Sequence, residues 1–288
     1  MCIRDRACAS AEAAMNRAQS LLHEIITAAN ASSTEKQARL EVLQQEYDTI
    51  KQAIGSKDYE VEETKLAKES DELIYYISQR VFLRFSDFFK ESFNPATIKD
   101  DGRDLKAALR QALRELLDSI GFDFEQEMRA TSLRLESYLR KLVADKLEQY
   151  RKSVLKTWSA VDIGEFQIQP YEVPTYNPAF QQLQDTDFKK ELALFKNPKS
   201  FFEKNEKQRM AEALQEALQE PANHYLQSEG STAKVYYHGI LLKELQLLQE
   251  HVEQMIEDTF ISFTSVLQEE VDVAYYESKE SKIQQLLA

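Results

Sequence analysis

The sequence predicts an all-α protein: an elongated antiparallel helical bundle with a proline-containing, aromatic tip segment at one end. Three observations predict it. Only six glycines and six prolines are spread over 288 residues, so turns are few and the elements between them long. Apolar residues recur at steps of three and four through most of the chain, the period of a helix buried along one face. One stretch, Trp158 to Phe202, departs from that period. It holds Pro170, Pro174, Pro178 and Pro198, whose rings remove backbone donors and push the preceding residues into extended geometry. It is nonetheless dense in large rings (Trp158, Phe166, Tyr171, Tyr176, Phe180, Phe188, Phe195, Phe201 and Phe202), which something has to cover.

The elements follow in order. Between residues 7 and 29, Met15, Ala18, Leu22, Ile25 and Ala29 keep helical spacing. A polar turn over 30–34 comes next, with Ser33 or Thr34 placed as a cap and Thr34 and Gln37 spaced as a capping box. Leu40, Leu43, Tyr47, Ile50 and Ile54 form a near-heptad stripe that Gly55-Ser56 stops. Residues 57–69 are charged and weakly periodic, a solvated helix or linker. Ile74, Ile77, Val81, Phe85 and Phe88 then form a stripe, widened by Leu73, Phe82, Phe89 and Phe93, which ends at Asn94-Pro95. The Asp100-Asp101-Gly102 cluster completes that turn.

Leu105, Leu109, Leu113, Leu116 and Ile120 open the next helix, with Asp101 or Asp104 as its cap and Gly121 as a kink. The pattern continues through Leu135, Leu139, Leu142, Leu147, Tyr150 and Val154 to Trp158. A helix of ~50 residues would be ~75 Å long, a length typical of stalks and coiled coils. Asn197-Pro198 starts a helix that runs to Pro221. Gly230 breaks the chain again, and 235–287 reads as a further long helix.

Composition excludes several functions. A net charge of −13 and a pI near 5.0 argue against a nucleic-acid binder, which presents a basic face. Cys2 and Cys8 offer no disulfide framework. No apolar run approaches the ~18–20 residues of a membrane span, and no apolar signal-peptide core follows the first residues. There is no phosphate-loop motif, no nucleophile elbow, and no glutamate three residues before His23, His224, His238 or His251 to build a carboxylate-bridged metal site. The carboxylates read as solvated helix faces. No catalytic, cofactor-binding or metal-ligating constellation is present in the sequence.

One local feature runs against the acidic total. Between Lys189 and Arg209, seven cations face three glutamates, a local charge of +4 beside several rings. Rings at the headgroup level with lysines above them suit an anionic leaflet, each cation contributing up to ~1 kcal/mol. The other reading is that Phe188, Phe195, Phe201 and Phe202 fold back to close the bundle end.

The strings SQRVFLRFSDFFKESFNPATI (78–98), GFDFEQEMRATSLRLESYLRK (121–141) and FKNPKSFFEKNEK (195–207) resemble the C-terminal helical region of bacterial dynamin-like GTPases, most closely the two-headed bacillar kind. The resemblance implies a neck and trunk of antiparallel helices ending in a membrane-binding paddle. It divides the chain into neck-like helices at 7–69, trunk helices at 70–157, the paddle at 158–202 and returning helices at 203–288. Residues 1–6, MCIRDR, look like a translated sequencing-adapter scar and are set aside. The implied membrane contacts are Trp158, Phe166, Tyr171, Tyr176, Phe180, Phe195, Lys196, Lys199, Phe201 and Phe202.

The implied function is the stalk of a GTPase that tethers, fuses or remodels membranes. In the family GTP and magnesium belong to a head domain, for which this chain shows no residues. The implied partner is an anionic membrane surface, at the inner face of the cell membrane, with the protein peripheral and cytoplasmic. Self-association is expected through helical faces that a neck short of one helix leaves uncovered, at Leu22, Ile25, Leu43, Tyr47 and Ile50. From another class, the alternative is a soluble coiled-coil or helical-bundle scaffold without lipid binding. A helical-bundle enzyme lacks a site.

Overall fold

Helical periodicity dictates the elements, and every regular element among the described residues is a helix. The computed structural model describes residues 3–99, 102, 104–159, 161, 163–203, 205–268 and 272–287, with side chains from residue 11 onward except Ala13. Asp100, Asp101 and Lys204 lie outside the described residues. The helices are α1 (Ile3–Ala29), α2 (Ser33–Ile54), α3 (Glu60–Leu83), α4 (Phe85–Ser92), α5 (Leu105–Leu155), α6 (Lys189–Leu192), α7 (Pro198–Glu203), α8 (Glu206–Ala217), α9 (Gln219–Gln268) and α10 (Val273–Leu287). A 3-10 turn at Asp185–Phe188 precedes α6. The chain folds as two units interleaved along the sequence. The first comprises Met1–Tyr59, Lys141–Ile168 and Lys243–Ala288, and the second Glu60–Arg140 and Gln169–Leu242.

In the first unit, α1 packs along α10. The start of α2 corrects the expected capping box: Ser32, not Ser33 or Thr34, is the cap, and Glu35 is its partner. The Glu35 carboxylate accepts from the Ser32 backbone N–H and hydroxyl, both at 2.8 Å, which holds its pKa below the usual range. An ionised acceptor makes the stronger box, which a Thr34–Gln37 pair cannot match. Gly55 ends α2 as expected, its N–H reaching the Lys51 carbonyl at 2.8 Å. Leu43 and Ile50 are buried and Tyr47 stacks on Phe260 at 4.4 Å, so the unit's own helices cover that stripe. Tyr59 is buried and donates to Gln249 at 2.6 Å.

In the second unit, the charged run that begins α3 is not merely solvated, since Glu62 and Leu66 are buried. The phenylalanine stripe is two helices, because the chain turns at Arg84, whose N–H bonds three residues back to Val81. The Arg84 guanidinium is held by Asp123 and, at 3.9 Å, by Glu127. Asn94 closes α4 as expected, its side-chain oxygen accepting from the N–H groups of Ala96 and Thr97. Asp104 likewise caps α5 through Lys106 and Ala107.

Residue pairs fix the directions of the long helices in this unit. Arg80 meets Glu127 and Arg84 meets Asp123, so α3 runs antiparallel to α5. Lys234 meets Asp71 and His238 meets Glu63, so α3 is also antiparallel to α9. Consequently α5 and α9 run parallel. Two parallel elements need a long crossover, as parallel strands do.

The proline-rich segment is that crossover, and it corrects the expectation of a segment gathered at one end. In the second unit Tyr171 packs on Arg140 and Tyr237, Tyr176 bonds Ser132, Ala179 bonds Gly121, and Asp185 pairs with Arg110. The strap thus runs back along α5. Extended chain advances ~3.3 Å per residue and helix 1.5 Å, so about 14 strap residues span about 30 helical ones, as these pairs require.

Gly121 and Gly230, expected to kink or break helices, are contact points inside unbroken α5 and α9. A Cβ on Gly121 would lie 2.2 Å from the Ala179 carbonyl oxygen, and one on Gly230 would lie 3.1 Å from the Ile74 side chain. Pro221 sits in the first turn of α9, where no intrahelical N–H is required. The helix expected over 235–287 begins earlier and is divided, with α10 separate from α9.

Gly121→Ala should therefore lower stability by about 1–3 kcal/mol, because its methyl meets backbone that cannot be repacked by a rotamer change. Gly239→Ala, where nothing lies within 4 Å, should instead raise stability by roughly 0.5–1 kcal/mol through helix propensity. Urea unfolding of both variants checks the pair. Equal effects would contradict the docking of the strap at Gly121.

Candidate functional site

The ten residues selected from sequence divide between the two units. Trp158 and Phe166 belong to the first. Trp158 is 6% exposed, donates its indole N–H to Glu46 at 3.0 Å and meets Phe263 edge-on at 5.9 Å. Phe166 is half-buried against His251, their rings 5.8 Å apart.

Three more hold the strap in the second unit. Tyr171 is half-buried under the Arg140 guanidinium. Tyr176 is 2% exposed and shares a 2.7 Å hydrogen bond with the Ser132 hydroxyl. Burial raises the Tyr176 phenol above its ordinary pKa and pushes that of neighbouring Tyr237 up to about 12. Phe180 adopts φ of 69°, a left-handed conformation costly for a bulky residue. Its ring packs edge-on against Phe124 at 5.6 Å, which holds it there.

The remaining five, Phe195, Lys196, Lys199, Phe201 and Phe202, come together around α7. Asn197 caps this short helix as the Asn197-Pro198 pair predicts, accepting from the Ser200 N–H at 2.8 Å. The predicted continuous helix is interrupted, α8 beginning at Glu206. Phe201 is fully buried in the cluster that also holds Phe93, Phe188 and Met210. Phe195 and Phe202 flank it at 5.3 and 5.2 Å and remain half-exposed. Lys199 is exposed, and Lys196 reaches Glu206 only at 3.9 Å.

Sequence reasoning missed a groove beside this cluster, between α4 and α8. Its walls include Phe85, Phe89, Lys90, Lys207 and Ala211, and its volume is about 520 Å³. The Lys207 ammonium lies 5.3 Å from the Phe202 ring centre and 6.0 Å from that of Phe89. Burial first, then the Lys90 charge, hold its pKa below the usual lysine range. A lysine one residue after the FSDFF run was the available signal for Lys90.

Among the described residues no group of three His, Cys, Asp or Glu side chains is arranged to hold a metal ion. No described helix is long and apolar enough to cross a membrane. The class defined by these features is an all-α helical bundle with a basic, phenylalanine-rich cluster in its second unit.

The comparisons add a relation to this description. Over 176 residues, 60% of the chain, it is 23% identical to Dynamin-like protein A of Bacillus subtilis (strain 168), and the match spans 14% of that protein's length. No family model matches the chain, and no solved structure matches it. The chain is thus similar to a dynamin-like protein.

Replacing Phe201 with alanine should cost about 3–5 kcal/mol, as for other fully buried rings, and Phe202→Ala clearly less. Thermal melts of the two variants check the order. A larger loss at Phe202 would contradict the placement of Phe201 inside the cluster.

Proposed function

We propose that this chain is a helical stalk segment of a dynamin-like protein and that the α7–α8 region of its second unit contacts an anionic membrane surface. What supports the reading is one juxtaposition. Half-exposed Phe195 and Phe202 stand beside Lys196, Lys199 and Lys207 in a chain whose net charge is −13. Rings of this kind enter the headgroup region while the lysines supply attraction screened over ~8–10 Å at physiological salt. The similarity to a dynamin-like protein points the same way.

On this reading the contact belongs to Phe195, Lys196, Lys199 and Phe202. Trp158, Tyr176 and Phe201 would have to leave buried positions to take part. The parent protein would tether, fuse or remodel membranes at the inner face of the cell membrane, peripherally and from the cytoplasm. GTP and magnesium would act outside these residues, and copies would associate through helical faces.

That same burial favours a second reading, a helical scaffold without lipid affinity, in which the rings serve only to hold the strap and close the bundle. Co-sedimentation separates the two. The full chain should pellet with vesicles containing phosphatidylglycerol at low salt, release at high salt, and lose binding when Phe195 and Phe202 are both changed to serine with helicity retained. Failure to pellet with such vesicles would leave the scaffold reading.

A further inference from the structure

We propose that the outer face formed by α3 and α5 in the second unit is a docking surface for a second copy of this chain, related to the first by a two-fold axis. The inference rests on the reading above, in which copies associate through helical faces, and deepens it by naming the face.

Four large apolar side chains stand out on this face. Leu83 is 82% exposed, Leu133 60%, Phe122 56% and Tyr76 50%. Phe122 and Leu133 lie three helical turns apart on α5, and Tyr76 and Leu83 two turns apart on α3, so each pair shares one stripe. The residues turned the other way, Ile77 and Val81 on α3 and Phe124 and Met128 on α5, are fully buried in one core cluster. Between the two sides run the ion pairs Arg80–Glu127 and Arg84–Asp123, on the seam where the helices meet. All four apolar groups therefore face solvent on the same side of the α3–α5 layer. Exposed apolar residues gathered on one face mark an interaction surface, where single scattered ones do not.

Symmetry and charge point to the occupant. The two ion pairs set the register, in which four residues forward on α3 are four residues back on α5. The midpoint of Tyr76 and Leu83 therefore lies level with the midpoint of Phe122 and Leu133. A two-fold axis at that level, crossing both helices, sets Leu83 against Tyr76 of the second copy and Phe122 against its Leu133. Gln126 then falls opposite its Arg129. A closed contact between identical chains requires such a self-matching patch, and an unrelated partner does not. The chain carries a net charge of −13, yet three arginines of this face each meet a carboxylate beside it: Arg80 meets Glu127, Arg84 meets Asp123 and Arg129 meets Glu125. Two acidic copies can approach here without the repulsion they meet elsewhere, and paired charges give an anionic leaflet little to attract. An apolar centre of Phe, Tyr and Leu, rimmed by polar groups, is the ordinary anatomy of a protein–protein contact.

Sedimentation velocity on the full chain at tens of micromolar tests the contact. The wild type should show a concentration-dependent dimer. Leu83→Glu and Phe122→Glu should each weaken it about tenfold or more with helicity unchanged, since each substitution enters a two-fold contact twice. Val235→Glu, an equal change at a side chain 71% exposed on α9, should leave the dimer intact. With Cys2 and Cys8 replaced, a short bis-maleimide should link a mixture of Tyr76→Cys and Leu83→Cys chains more efficiently than either variant alone. A monomeric wild type, equal losses in Val235→Glu and Leu83→Glu, or linking as efficient in the single variants as in the mixture overturns the proposal. A monomeric wild type whose binding to phosphatidylglycerol vesicles is lost in Leu83→Glu assigns the face to the membrane instead. A monomer whose vesicle binding depends on Phe195 and Phe202 sinks the contact alone, and a dimer that ignores the vesicles sinks the membrane reading alone.

Discussion

The fold of the second unit depends on the docking of an extended strap onto two parallel helices. Because α5 and α9 run in the same direction there, the chain must return between them, and it does so as extended chain through Tyr171, Tyr176 and Ala179. Extended backbone leaves its donors and acceptors without a regular ladder, so each has to be met individually. Tyr236 and Tyr225 donate to the carbonyls of Glu172 and Asn177, and the Ala179 N–H donates to the Gly121 carbonyl at 3.2 Å. Proline lowers the number of donors to be met and fixes the extended conformation in advance. The rings supply burial, and the absent side chain of Gly121 supplies the close approach.

The same constraint explains one polar group in the interior, Ser132. Ser132 and Thr131 are buried on α5 in the neighbourhood where Tyr176 docks. A tyrosine that buries its ring and pairs its hydroxyl with Ser132 is held in one register, since shifting it would strand both hydroxyls. Phe180 reaches its place only through a left-handed backbone, a local strain that its packing against Phe124 offsets. Register along the strap is thus set by tyrosine hydrogen bonds and by one glycine, and the phenylalanines beyond it close the core around Phe201.

Local signals in the sequence identified most of the helices. The stripe through Ile74, Ile77 and Val81, the stop at Asn94-Pro95, the Asp104 cap and the Asn197-Pro198 start all depend on neighbours within a turn or two, and the structure has them. The non-local features were not legible. A glycine inside a helical pattern looks the same whether it bends the helix or admits another backbone, and only the position of Ala179, 58 residues further on, distinguishes them for Gly121. The strap has no period because its rings pair with Ser132, Phe124 and Tyr237, partners tens of residues away. The basic groove was half visible: the lysines near Phe202 drew notice, but Lys90 joins them only when α4 lies against α8.

The most direct test of the strap is a distance measured in solution. With Cys2 and Cys8 replaced, spin labels on Val173→Cys and Gly239→Cys probe two exposed positions beside the Glu172–Tyr236 contact. A docked strap gives one narrow, short distance, unchanged when anionic vesicles are added. A long or broad distribution in solution would contradict the docking on which this account rests.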